Sequence, residues 1–192
     1  MREPVKFCAR SVSLAFAFPA IVLYRFGNLI SHSNKWFQMF SQFFALFPGA
    51  IGEYLRREFY RYSLKACSNT CCISFGTIFS TAEAEIGENV YIGAYCVIGK
   101  ARLGRDSIIA SRVSIISGKK QHGLENSGIP IREQTGVFEQ VTVGEDVWIG
   151  EGSIVCVDIP EHCVIGCGSV VTKSPEPNSI IAGNPAVLIR KR

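Results

Sequence analysis

The sequence predicts an all-β fold, a parallel β-helix built from six-residue repeats and preceded by an apolar helical segment. Three observations carry this. From residue 86 the chain divides into IGENVY, IGAYCV, IGKAR, LGRDSI, IASRVS and IISGKK, and after a gap into VGEDVW, IGEGSI, VCVD, IPEHCV, IGCGSV and VTKSPE. The first residue is always aliphatic: Ile86, Ile92, Ile98, Leu103, Ile109 and Ile115, then Val143, Ile149, Val155, Ile159, Ile165 and Val171. The fifth is small or β-branched at Val90, Cys96, Ser107, Val113, Val147, Ser153, Cys163 and Ser169. A period of six matches neither an amphipathic helix nor an alternating strand. It is the signature of a hexapeptide solenoid, in which three short strands close one triangular coil and equivalent positions stack.

The first third, residues 1–72, reads differently. Residues 1–65 hold nine Lys/Arg and three Glu, whereas residues 66–192 hold eleven Lys/Arg and thirteen Asp/Glu. This is a basic appendage on a slightly acidic body, and it argues against a nucleic-acid partner. VSLAFAFPAIVLY (12–24) and WFQMFSQFFALFPGAI (36–51) are strongly apolar, are interrupted by Pro19 and Pro48-Gly49, and have basic flanks. Each is shorter than the roughly 20 residues that span a bilayer as a helix. The expectation is a segment lying in the headgroup region of an inner membrane, peripheral to the cytoplasm; the alternatives are a helical arm packed on a neighbouring subunit or on the main domain, and a true span or re-entrant hairpin. EYLRREFYRYSLK (53–65) spaces Leu55, Phe59 and Tyr62 as one face of a helix. His32 reads as a polar linker residue between the apolar stretches.

The β-helix is expected over 73–183. ISFGTIFSTAEAE (73–85) forms an irregular first coil, because Ile73 and Phe79 keep the six-residue step and Ile86 is late by one. The second residue of most hexads is Gly, assigned to turns of positive φ. IGKAR and VCVD are short by one and two residues, which predicts bulges or skipped corners. Residues 184–192 form a basic C-terminal tail. The eight cysteines match no zinc spacing, so they read as reduced structural residues with no metal site.

An excursion loop, about 117–140, breaks the rhythm and contains GKKQHGLENSGIPIREQ (118–134). It holds His122, one of three histidines in the chain. A stiff solenoid wall offers no deep pocket, so a general base has to arrive on a loop folded over a groove, and imidazole is the side chain suited to that work near neutrality. The bland reading is an exposed loop histidine. Glu125 is the nearest carboxylate that would orient it, with Glu133 and Glu139 as alternatives. Arg132 and Gln134 are candidate substrate contacts, and Trp148 borders the groove or packs at a seam. His162, within a hexad, reads as a surface residue.

The hexads, VWIG (147–150), VVTK (170–173) and the terminal AGNPAVLIRKR (182–192) resemble the hexapeptide-repeat acyltransferases over residues 73–192. PGAIGEYLRREFYR (48–61), ISFGTIFS (73–80) and the excursion resemble their bacterial polysaccharide or lipopolysaccharide O-acetyltransferase-like branch. The resemblance implies a left-handed winding, a homotrimer, acetyl-CoA as donor and an acceptor that is a glycan or its lipid-linked precursor. It makes His122 the base. It carries CoA binding to Gly150, Ser169, Thr172 and Lys173, with Asn184, Pro185 and Arg190 at the tail. One departure is IVCVDIPE, which lacks the family's usual Pro-Gly turn. The competing functions are N-acetyl transfer to an amino sugar or amino acid, and a non-catalytic binding scaffold. A β-helical carbonic anhydrase would need three histidine ligands, and the repeat region has only His122 and His162.

Overall fold

The computed structural model describes residues 3–31 and 33–192, with side chains from Phe7 onward; His32 lies outside the described residues. Three helices come first: α1 (Glu3–Ser31), α2 (Lys35–Ala45) and α3 (Gly49–Ser63). A three-faced parallel β-solenoid of about six turns follows, in keeping with the left-handed β-helix that the resemblance implies. It begins at Ala66, seven residues before the predicted start.

The first face stacks Ala66–Cys67, Glu85–Ile86, Ala101–Leu103 and Val141–Val143. The second stacks Cys72–Ile73, Tyr91–Ile92, Ile108–Ile109, Trp148–Ile149, Val164–Ile165 and Ser179–Gly183. The third stacks Ile78–Phe79, Val97–Ile98, Ser114–Ile115, Ile154–Val155 and Val170–Val171. Pairing is in register, so Ile92 lies on Ile109 and Ile109 on Ile149. The first-position aliphatics fill the interior and are buried, as the hexads require. The fifth-position residues are buried too, and two of the serines among them donate to the next coil. Ser107 Oγ donates to Gly144 O at 2.8 Å and Ser153 Oγ to Gly166 O at 3.0 Å. A narrow corner thus accepts a hydroxyl because a carbonyl waits for it.

The glycines serve a purpose other than the expected one. Positive φ falls at the fourth position of the hexad, where Asn89, Tyr95, Asp106, Arg112, Asp146 and His162 adopt it alongside Gly152 and Gly168. The second-position glycines are not in that region; a Cβ there would strike the backbone of the next coil. At Gly104 it would lie 2.5 Å from Gly144 C, and at Gly150 2.6 Å from Cys167 N. They are glycines because coils touch there.

Every departure from the six-residue step falls at one corner, where the third face turns into the first. Phe79 to Ile86 is long by one, Ile98 to Leu103 short by one, and Val155 to Ile159 short by two. The excursion leaves from the same corner. At the shortest turn Asp158 Oδ1 accepts from Thr142 N at 2.7 Å, so a side chain replaces the missing strand partner, and Ile159 keeps a bridge to Val143.

α2 and α3 close the open end of the first coil. Ser41 Oγ accepts from Phe79 N and donates to Phe79 O, and it lies 2.8 Å from the Tyr60 hydroxyl. Arg56 is fully buried; its Nε donates to Ile73 O at 2.9 Å and its Nη1 to Phe47 O at 2.6 Å. These bonds satisfy backbone groups that no earlier coil can pair, as a solenoid end requires. α1 packs on α2 and α3, beyond this cap. Pro19 does not end it, contrary to the sequence expectation: the two apolar runs become one 29-residue helix and a separate short one. Residues 184–192 are likewise not a loose tail. Ala186–Lys191 turns back at the cis Asn184–Pro185 pair and lies antiparallel to Ser179–Gly183.

Candidate active site

The excursion leaves the third face at Ser117 and returns at Val141. Its two arms are tied at the base, where Val137 N donates to Lys120 O at 2.7 Å and Glu139 N to Ser117 O at 3.1 Å. Gly136 and Gly123 let the arms approach: a Cβ on Gly136 would lie 2.0 Å from Gln121 O, and one on Gly123 2.8 Å from Thr135 O. Gly118, with φ +78°, starts the outward bend. The tip carries exposed Leu124, Ile129 and Ile131, and Phe138 is exposed near the base.

Beside the loop's base the irregular corner opens a cavity of about 660 Å³, lined by Gly118, Lys119, Glu139, Cys156, Asp158, Thr172, Lys173 and their neighbours. Lys119 reaches across it, its Nζ donating to Thr172 O at 3.0 Å. Burial pushes the Cys156 thiol up, and the Lys119 ammonium opposes that shift. A second groove of about 400 Å³ continues from Lys173 and Ser174 to Val187 and Leu188 on the terminal hairpin.

The structure brings together some of the residues singled out from sequence and separates others. His122 is exposed on the loop's outgoing arm and hydrogen-bonds to no described residue. Glu125, farther out, is also exposed and forms no hydrogen bond or ion pair with it, so no described carboxylate is bonded to the ring. Glu133 pairs with Arg132 at 3.5 Å, and Glu139 lines the groove. Gln134 holds the loop together: it accepts from Asn126 N at 3.1 Å and donates to Asn126 O at 2.7 Å, which leaves its amide spent inside the loop. Trp148 projects from the second face, beside Ile108 and Val164 and away from this corner.

Thr172 and Lys173 do line the groove. Gly150 and Ser169 do not; they are buried at the corner between the second and third faces, and Ser169 Oγ donates to Gly166 O at 2.5 Å while accepting from Gly183 N. Asn184, Pro185 and Arg190 are exposed on the terminal hairpin. Lys191 is held by Glu176 at 2.8 Å and Arg192 by Asp146 at 2.9 Å; Asp146 also takes His162 Nδ1 at 3.0 Å. His162, with Arg192, holds the Asp146 carboxyl below its usual range. His162 is thus the surface residue expected. Sequence reasoning missed Lys119's crossing, Cys156 and Asp158; the shortened VCVD, ending at Asp158, was the signal that marked this edge. No group of metal-binding side chains occurs among the described residues.

Residues 83–117 match the bacterial transferase hexapeptide (six repeats) model and residues 140–173 the hexapeptide repeat of succinyl-transferase. These matches stop and resume at the edges of the excursion. Both runs of the β-helix are therefore similar to hexapeptide-repeat transferases. It is 33% identical over 123 residues to a putative lipopolysaccharide biosynthesis O-acetyl transferase of Escherichia coli, covering 60% of this chain and 61% of that protein. It is 46% identical over 120 residues to a chloramphenicol acetyltransferase of Agrobacterium fabrum, covering 56% and 54%. The chain therefore spans somewhat over half the length of these curated relatives. A galactoside acetyltransferase in complex with coenzyme A shares the fold at 22% identity, with a TM-score of 0.67 and 80% of each chain covered.

Proposed function

We propose that the protein transfers an acetyl group from acetyl-CoA to a hydroxyl of a glycan or its lipid-linked precursor. The observation that carries the reading is the place of His122: an exposed imidazole with no described hydrogen-bond partner, on the loop whose base lines the groove at the corner where the hexads break. His122 takes the proton of the acceptor hydroxyl as its oxygen attacks the thioester carbonyl. The C–S bond then breaks and the departing CoA thiolate recovers that proton from the imidazolium. Metal chemistry is not part of the reading.

The groove past Lys119, Thr172 and Lys173 toward the terminal hairpin suits an extended cofactor arm, and Arg190 is a cation near its far end that pairs with no described carboxylate. Gly150 and Ser169 belong to a different edge, so one chain does not assemble the whole cofactor set named from sequence. The outward faces carry apolar residues, Tyr91, Ile108 and Trp148 on the second and Val97 and Ile154 on the third. They support side-by-side packing of three copies, which brings one copy's loop edge to its neighbour's wall.

The acceptor class rests on the resemblance of the excursion and on the lipopolysaccharide-related relative. The 46% identity to a chloramphenicol acetyltransferase favours a second reading, an antibiotic hydroxyl as acceptor. Release of free thiol from acetyl-CoA with a panel of glycans, amino sugars, amino acids and chloramphenicol separates these. His122→Ala lowers turnover by about 10²–10⁴-fold, the usual worth of a general base, with CoA binding retained. Unchanged turnover in that variant rejects the mechanism, and no turnover with any acceptor together with no CoA binding leaves a scaffold.

A further inference from the structure

α1 is amphipathic the wrong way round for a helix on a water-soluble surface. The side that packs on α2 and α3 carries Ser13, Ala17, Ile21, Tyr24 and Gly27. The side turned to solvent carries Phe7, Val12, Phe16, Phe18, Val22, Leu23, Phe26, Leu29 and Ile30. Phe16 is 75% exposed and Leu29 72%. At 100° per residue these positions span about half the helix circumference. Arg25 is the one charged side chain of residues 7–31 on that half, and it sits at the edge, its Nη2 donating to Tyr62 O at 2.7 Å. The stretch Phe7–Ser31 is 25 residues, long and apolar enough to cross a bilayer; half the surface of about 37 Å of helix is roughly 600–700 Å², at or above the largest apolar patch of a typical soluble monomer.

What borders the patch indicates what covers it. Along the seam with α3 lie Arg10, Arg25 and Arg61. Arg10 and Arg61 line a cavity of about 240 Å³ with Phe7, Ser11, Leu14 and Glu58. Glu58 is taken by Arg61 at 2.8 Å, and the described residues give Arg10 no carboxylate; its Nη2 donates to Asn69 O at 3.4 Å and its Nε is buried without a partner. No acidic side chain lies on α1 from Phe7 onward. An apolar half-cylinder with a cationic border fits hydrocarbon beside lipid phosphate.

We propose that α1 lies in the plane of an anionic phospholipid bilayer, its apolar half among the acyl chains and the arginines of its α3 seam on lipid phosphates. The orientation follows from the other half of the helix. Tyr24 packs edge-on to Phe37 and Phe59, with ring centroids 5.8 and 6.5 Å away, and Gly27 lies against the Trp36 ring. A membrane-spanning α1 would have to leave these contacts and uncover the solenoid's cap. The inference stands independently of the acyl-transfer reading, because its readout is partition and not turnover.

The test is sedimentation of the full chain with phosphatidylglycerol/phosphatidylcholine vesicles and with phosphatidylcholine alone. The wild type binds the anionic vesicles, weakens as salt rises, and is released by alkaline carbonate. Phe16→Asp with Phe26→Asp, both at exposed positions, lowers partition more than tenfold while circular dichroism is unchanged. Arg10→Gln and Arg25→Gln each weaken binding to the anionic vesicles by about fivefold, the worth of one basic residue near a charged surface. Absence of partition, or partition unaffected by the aspartates, overturns the proposal. Retention through carbonate overturns the in-plane placement in favour of a span. A non-binding wild type whose mass falls in the aspartate variant assigns the face to a second copy instead.

Discussion

The hexad IGEGSI (149–154) contains two glycines whose substitution should have unequal costs. A methyl group on Gly150 would lie 2.6 Å from Cys167 N and 2.8 Å from Ile165 O, both backbone atoms of the next coil. The Ile165 carbonyl is also the acceptor of Gly150 N, at 2.8 Å. Neither partner can rotate away, so the two coils must part by roughly 0.8 Å to bring the 2.6 Å approach to ordinary contact distance, and the bond between them stretches out of its good range. One weakened ladder bond and the strain on interior Ile149 and Ile165 sum to about 2–4 kcal/mol for Gly150→Ala. Gly152 has φ +71°, and a Cβ added to it would meet nothing within 4 Å; the same place in other hexads holds Asn89 and Asp146. Gly152→Asn should therefore cost less than about 1 kcal/mol. Urea denaturation at one fixed protein concentration reads both, since subunit association would otherwise shift the midpoints. If Gly150→Ala proves as mild as Gly152→Asn, the close-approach account of the second-position glycines is wrong.

Two further outcomes follow from the cap and from the first face. Ser41→Ala leaves the Tyr60 hydroxyl and both backbone groups of Phe79 without their buried partner, and thermal unfolding should report a loss of about 2–3 kcal/mol. Lys65 at 2.6 Å, then Gln140 and Arg102, hold the Glu85 carboxyl below its usual range. A depressed carboxyl stabilises the fold above its unfolded pKa, about 4.3, and that contribution disappears as pH falls through the lower folded value. Glu85→Gln should accordingly flatten the acid limb of a stability–pH profile below about pH 4 and leave its neutral region with the same slope; an unaltered acid limb would refute the assignment.

Much of the solenoid was legible because stacking makes sequence position and spatial position the same thing. Ile92, Ile109 and Ile149 sit in equivalent places in their hexads and on one another in space. What could not be read is whatever depends on a contact outside that register. Gly150 and Gly152 are the same letter, yet one is imposed by a neighbouring coil and the other by its own φ. Ser169 matched a family pattern, but its hydroxyl is consumed by Gly166 O. Gln134 reads as a free amide in a polar loop and folds back on Asn126. The basic ending looks unattached until the hairpin lays Arg192 on Asp146, 46 residues earlier. Pro19 carries a helix-breaking expectation that holds for an isolated helix, whereas α1 is held on both sides of the proline by packing on α2 and α3.

The grouping of irregularities at a single corner gives the site its logic. A coil inserted, shortened or opened at the other two corners would displace every aliphatic residue stacked above it, because those corners keep an unbroken six-residue step from Cys67 to Val171. A variation confined to the turn between the third and first faces leaves two walls in register and alters only the edge. Evolution of function on this scaffold is then channelled to one edge by packing alone. The excursion, the Asp158 side chain that substitutes for a strand partner, and the groove containing Lys119 and Thr172 all occur there. The loop that carries His122 leaves here because this is the one corner from which a loop can leave without disturbing the core.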